Sequence, residues 1–334
     1  MPKVVDDVNT FLASKGAQAI YPVPAPGPNQ RGPSCGFYAL AYVLKYWHDR
    51  LQLYGGTYAT QKPLPARTNL QAPKPQTGTA RETLLKEKRS QAAAKGQYTS
   101  LRHFGKFNRL TVLGSVFDAD HLAMVARGEN SQYAGQFDAT VVPVSPESFP
   151  GVVKKLLDWE CPVIVPYDVS IAPATEGEPV KEGGDAAHWV TLIGWFADGA
   201  DDYAVYFNWG SFYFAKLQAF AVSNAQLTSN RHLTFGKYEI ADSSGQVVAR
   251  DYMRKNAARE TRKNYNDVGW NTSIARLGKR LHNPEFTDPT EGGRSVGRLD
   301  DKDGRARLMT GGLRNKVVAV YRREDSKDIA AALM

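Results

Sequence analysis

Cysteine is almost missing from this chain: Cys35 and Cys161 are its only two in 334 residues. Two cysteines in unrelated contexts build no disulfide framework, and without a third or fourth they build no zinc site. Long apolar runs are missing too. No window approaches the roughly 18 apolar residues of a membrane span. The start, MPKVVDDVNTFLASKGAQAI, lacks the basic residues and apolar stretch of a secretory signal. Nucleic-acid motifs are absent, and arginines are not interleaved with aromatics. These absences argue for a soluble protein of a reducing, cytoplasmic compartment, with neither membrane nor nucleic acid among its partners.

What is present is ordinary in amount. Hydrophobic residues make up 42%, charged residues 23% and aromatics 11%, a globular composition. The length suits one large domain or a domain plus a substantial extension. Net charge is +8, unevenly placed: from residue 241 onward, 19 Lys and Arg stand against 13 Asp and Glu. The plain reading is a solvated basic surface; the functional one is attraction to an acidic partner.

Five prolines in YPVPAPGPNQRGP (21–33) exclude helix and inner strand there. Residues 1–20 before it read as a short amphipathic helix. Residues 35–50 after it read as a clear helix, because Leu40, Val43, Leu44 and Trp47 fall at i, i+3, i+4 and i+7. Residues 55–80 read as a surface excursion, 81–95 as a polar helix, and 118–128 as a helix with Asp118 or Asp120 near its N-cap. A strand-rich half follows. Strands are expected over 137–145, 161–168, 188–196 and 203–209, a helix within 145–159, a hairpin turn at 198–202 and further strand after 210. Residues 241–307 are polar and rich in Gly and Arg, and 313–323 is the last good strand. The expected division is a main domain over 1–240, a basic polar insertion or extension over 241–307, and a final strand within 308–323 returning to the main domain. A helical half followed by a strand-rich half is an α+β arrangement.

Cys35 stands where the proline-rich loop QRGPSC runs into the apolar helix. A cysteine in the first turn of a helix sits at the positive end of the dipole, which favours thiolate. The free N–H groups there are suited to a developing oxyanion. Gly36 lets a substrate approach, and the side-chain amide of Gln30 is placed to be a second oxyanion donor. Such a nucleophile needs a base, and six histidines are available. His48 is on the same helix, 13 residues on, and so about 20 Å away. His188 opens a strand after a long loop, and Asn208 ends the following strand 20 residues later. Neighbouring antiparallel strands bring such positions side by side, so Asn208 is the candidate for holding the His188 ring, with Asp202 and Asp185 as rivals. The order Gln30, Cys35, His188, Asn208 is that of papain-like cysteine proteases. Cys161, in CPVIVPYD, reads as a small core residue. His103, His121, His232 and His282 share no spacing and read as surface or structural.

Five blocks in order, GPSCGFYALA (32–41), CPVIVPYD (161–168), AAHWVTLIGW (186–195), SNAQL (223–227) and GGLRNKVVAVY (311–321), resemble the actin maturation protease family. Within the papain-like superfamily, the short Gln–Cys spacing is similar to the C39-like branch. The resemblance implies a papain-like fold with an N-terminal catalytic helix packed on a mostly antiparallel sheet. It implies Cys35 as nucleophile, His188 as base, Gln30 as oxyanion donor, and no metal or organic cofactor. It further implies an aminopeptidase-like removal of a processed N-terminal residue from immature actin, so that the expected partner is a protein or peptide substrate. The chain departs from the family pattern in the long basic 55–105 region, in the loop before His188, which lacks a further histidine and cysteine, and in the apparent insertion at 241–307. These departures bear on substrate more than on chemistry. Two other functions suit the same residues: glutamine deamidation or acyl transfer by the same triad, as in bacterial effectors, and a non-catalytic binding module with a basic surface.

Overall fold

A computed structural model of the chain describes residues 7–17, 34–50, 64–66, 98, 100–105, 108, 110–111, 116, 118–128, 137–170, 172, 175–181, 187–227, 312–323 and 329, and the backbone alone of 3–5, 51–53, 106–107, 232–241, 247–254 and 305–309. Its strands are β1 (Lys3–Val5), β2 (Phe137–Pro143), β3 (Val163–Asp168), β4 (Ala187–Asp198), β5 (Asp201–Asn208), β6 (Ser211–Lys216), β7 (His232–Ala241), β8 (Val247–Arg254), β9 (Arg305–Met309) and β10 (Lys316–Arg322). Seven of them form one open sheet in the order β1-β6-β5-β4-β3-β10-β2, and β8-β7-β9 form a second, smaller one. Every pairing among the described strands is antiparallel. With its helices this is an α+β architecture.

The helices are α1 (Val8–Ser14), α2 (Cys35–Leu53), α3 (Leu101–Phe107), α4 (Ala119–Arg127), α5 (Phe149–Asp158) and α6 (Leu217–Ala225). The stripe expected on α2 is its buried face: Leu40, Val43 and Leu44 are fully buried and Trp47 nearly so. That face meets the sheet side carrying Trp189, Thr191 and Phe207. Thr191 donates to Ala39 O at 3.1 Å, and Tyr42 stacks on Phe207 with ring centroids 4.4 Å apart. Further along, the Trp47 indole donates to Val320 O of β10 at 2.7 Å. The opposite side is covered by α6, where Phe220 meets Tyr167 and Tyr206 edge-on at 5.2 and 5.1 Å. α5 closes the same layer, its Asp158 accepting from the Trp195 indole at 2.7 Å. β3 is buried at every position because it lies inside the sheet between two helical layers. This is why CPVIVPYD reads as a continuous apolar run.

Two segments depart from expectation. Residues 1–20 do not form one helix: β1 pairs with β6, and α1 begins after Asp7, whose carboxylate accepts from Asn9 N and Thr10 N at 3.0 and 3.1 Å. That N-cap separates the two elements. Residues 217–225 form helix α6 where further strand was expected. Leu217, Phe220, Ala221 and Asn224 are buried at helical spacing, with Ser223 beside them, but two of these buried residues are polar and the less buried Ala219, Val222 and Ala225 are apolar, so the sequence shows no apolar stripe to read. The helix expected over 81–95 lies outside the described residues.

Candidate active site

Register brings three polar side chains to one end of one sheet face. Tyr167 of β3 pairs directly with His188 of β4. Thr191 of β4 pairs with Phe207 of β5, which leaves Asn208 a diagonal neighbour of His188 on the same face. The contact is made: His188 Nε2 and Asn208 Oδ1 are 2.8 Å apart, and both residues are buried. Asn208 Nδ2 reaches Tyr167 Oη at 3.5 Å, and the Tyr167 hydroxyl donates to Gly177 O at 2.9 Å. The two rival candidates for orienting His188 are Asp202 and Asp185. Asp202 is at the far end of β5, paired with Lys154 at 2.6 Å, and Asp185 lies outside the described residues.

The β5–β6 hairpin completes the surroundings. Asn208 pairs with Ser211, and the two turn residues Trp209 and Gly210 have φ of 45° and 85°. Two consecutive positive φ values are the requirement of a type I′ turn, which favours Asn-Gly. A tryptophan there is strained, at a cost on the order of 1 kcal/mol. The strain places the indole over the imidazole, with ring centroids 5.2 Å apart, while the Tyr167 ring meets His188 edge-on at 5.7 Å. The His188–Asn208 hydrogen bond is thereby shielded from water.

Cys35 opens α2 from the other side. It lines a cleft with Tyr38, Ala39, Trp189, Phe207, Asn208, Trp209 and Gly210, so the cysteine and the partner of His188 share one wall. Gly36 does not open an approach for substrate, as expected from sequence; it is the seat for protein. A Cβ there would lie 3.3 Å from the Trp189 ring and from Val116 Cβ, and the same indole donates to Val116 O at 2.8 Å. Gln30 lies outside the described residues. Cys161 is a buried core thiol, 3.4 Å from Val320 O.

The electrostatics correct the thiolate expectation. Burial pushes the Cys35 thiol up to about 11, against the lowering effect of the backbone N–H groups of Trp189, Gly36 and Cys35. The residue keeps some solvent contact, yet desolvation outweighs the helix N-terminus. Burial likewise draws His188 down to about 4, opposed by its hydrogen bond to Asn208. Both groups are neutral at pH 7, and they make no direct hydrogen bond to one another. The resting groups are a neutral thiol and a neutral imidazole.

Against this geometry, the model of the family described as actin maturation protease-like, C-terminal domain, matches residues 68–196. It is the family that the sequence motifs resemble. No curated protein matches the chain. The actin maturation protease-like match spans α3 to β4 and so includes Tyr167 and His188; Cys35 and Asn208 fall outside it. Sequence reasoning did not single out Tyr167 or Gly177. The PYD motif was the visible signal, but a role for its tyrosine depends on the β3–β4 register.

Proposed function

We propose that the chain is a papain-like cysteine peptidase in which Cys35 is the nucleophile, His188 the base and Asn208 the group that holds it. The observation carrying this reading is the buried 2.8 Å His188–Asn208 contact, covered by Trp209 and opening onto the Cys35 cleft. An Nε2–H donated to Asn208 leaves the Nδ1 lone pair as the base. In the mechanism, Nδ1 takes the thiol proton as sulfur attacks the scissile carbonyl, and the imidazolium gives that proton to the departing amine. Water, deprotonated by His188, then cleaves the thioester and restores the thiol. The Cys35 N–H and the Gln30 amide hold the oxyanion in this scheme; losing one such donor lowers the rate by about 10²–10³. Charge separation arises only once substrate fills the cleft, which is how a neutral resting pair serves the reaction.

By its family likeness the substrate class is a protein N-terminus, actin-like, and the excess positive charge after residue 241 suits an acidic one. The test is to incubate the full chain with peptides bearing acidic N-terminal sequences and read product masses. Peptide-bond cleavage is expected for wild type, and none for Cys35→Ala or His188→Ala. Ammonia release without chain cleavage makes the enzyme a deamidase instead. Peptide binding that persists in Cys35→Ala, with no product in wild type, makes it a binding module.

A further inference from the structure

An asparagine amide has an accepting end and a donating end of nearly equal shape. If Asn208 turned over, Nδ2 would face His188, the ring proton would move to Nδ1, and the nitrogen needed as base would be blocked. Something must break the symmetry. The only polar atom given to the other end of the Asn208 amide among the described contacts is Tyr167 Oη, at 3.5 Å. That hydroxyl has one proton, and its donation to Gly177 O at 2.9 Å commits it. What it offers Asn208 is therefore a lone pair, which accepts Nδ2–H and repels Oδ1.

We infer that Tyr167 is a positioning residue that sets the tautomer of His188 by polarising Asn208, through a hydrogen-bond chain running from Asn208 to the Tyr167 hydroxyl and on to the Gly177 carbonyl. The inference rests on the peptidase reading and deepens it. Its geometry is built in. Tyr167 is fully buried and directly across the strand pair from His188. Gly177 has φ +90°, and a Cβ there would lie 3.0 Å from Trp209 Cζ3 and 3.3 Å from Asn208 Nδ2, so its loop is pressed against the very groups it orients. The loop is held by Gly177 N to Ser170 O at 3.0 Å, Ser170 N to Glu178 O at 2.9 Å and Val180 N to Asp168 O at 2.9 Å. Burial holds the Tyr167 phenol far above its usual range, so its donor stays protonated at any working pH. Tyr206 also donates to Gly177 O, at 3.3 Å, but makes no hydrogen bond to Asn208. It is the natural control.

The test uses the full chain with ¹⁵N-labelled histidine, reading the two ring nitrogens of His188 by long-range proton–nitrogen correlation, together with peptide turnover. Wild type and Tyr206→Phe are expected to show one tautomer, Nε2–H. Tyr167→Phe is expected to show a mixture and to lose kcat by roughly 10- to 100-fold with KM little changed. A packing role alone would lower stability without moving the tautomer. Tyr167→Phe that keeps both the Nε2–H signature and wild-type kcat overturns the inference. If Tyr167→Phe does not fold, the wild-type ring spectra decide alone: an Nδ1–H or mixed signature for His188 in wild type overturns the inference. Failure of the peptidase reading looks different: wild type turns over no peptide through Cys35, while the ring spectra still report whether Tyr167 governs the tautomer.

Discussion

A thiol at a helix N-terminus and a histidine beside an asparagine are each familiar single-residue devices, and burial changes both. With Cys35 pushed up to about 11, its thiolate fraction near pH 7.5 is about two orders of magnitude below that of a free thiol of pKa about 8.5. Iodoacetamide labelling followed by mass spectrometry is therefore expected to be slower at Cys35 than at a free cysteine peptide, rising toward pH 11. Labelling as fast as the peptide would show that the resting thiol is not buried as described. His188 makes a second prediction. The native ring protonates near 4, whereas an unfolded one protonates near 6.5. Below 6.5 the unfolded state binds more protons, so stability that is complete above pH 6.5 falls as pH drops toward 4 and levels off beneath it. The full swing is roughly 3 kcal/mol. Urea melts at pH 7.5, 5.5 and 4.5 should show this decline in wild type and a shallower one in His188→Gln; parallel profiles would remove the buried neutral histidine from the account. Trp209→Asn separates backbone strain from function: Asn-Gly suits the type I′ turn, so the hairpin should persist while kcat falls, as peptide turnover and circular dichroism can check together.

Between elements, the site depends on where β3 ends. Ser223 Oγ accepts from Asp168 N at 2.8 Å and donates to Asp168 O at 2.9 Å, and Asn224 Nδ2 donates to Pro166 O at 2.8 Å and to Lys316 O at 3.1 Å. The N-terminal part of the SNAQL block, at the end of α6, thus ties β3 to β10 on both sides of Tyr167. Asn224→Ala leaves two strand carbonyls without that donor, at a cost of about 1–3 kcal/mol. Thermal melting should show a lower Tm, with kcat falling at temperatures well below it because Tyr167 and His188 lose their fixed register. A lower Tm with unchanged kcat would confine Asn224 to stability. The element readings that failed share a cause. α6 does not read as helix because its buried side carries the polar Ser223 and Asn224 while its less buried side carries Ala219, Val222 and Ala225, and residues 1–20 do not divide in the sequence because the pairing of β1 with β6 joins positions some 210 apart in the chain. Periodicity carries no information about either.

For the whole molecule, the decisive feature is that the last strand among the described residues is internal. β10 lies between β3 and β2, and it receives the Trp47 indole of α2. Val317, Val318, Ala319 and Val320 are fully buried. Ending the chain after residue 310 should therefore leave insoluble or unfolded protein by circular dichroism, since removing an inner strand exposes two sheet edges. A soluble, folded and active truncation would show that β10 is dispensable. At the same scale, the basic charge after residue 241 predicts that turnover of an acidic peptide weakens with salt through KM. Reversing charge at Arg254, Lys255, Arg262 and Lys263 should reproduce that weakening at low salt, and unchanged KM would dissociate the basic region from substrate capture.

The sequence by itself determined the α2 stripe, the buried β3 run and the β4–β5 hairpin, and it made Cys35, His188 and Asn208 the candidates, because each is written in local spacing or in two strands joined by a short turn. Only the tertiary structure decided the rest. That Tyr167 stands opposite His188, that Gly177 folds back onto Asn208, and that β10 inserts between β3 and β2 depend on contacts between distant segments. The charge state of the site was decided there too: the helix N-terminus favours thiolate locally, but the protein packed around the thiol and the imidazole removes the water that would support their charges.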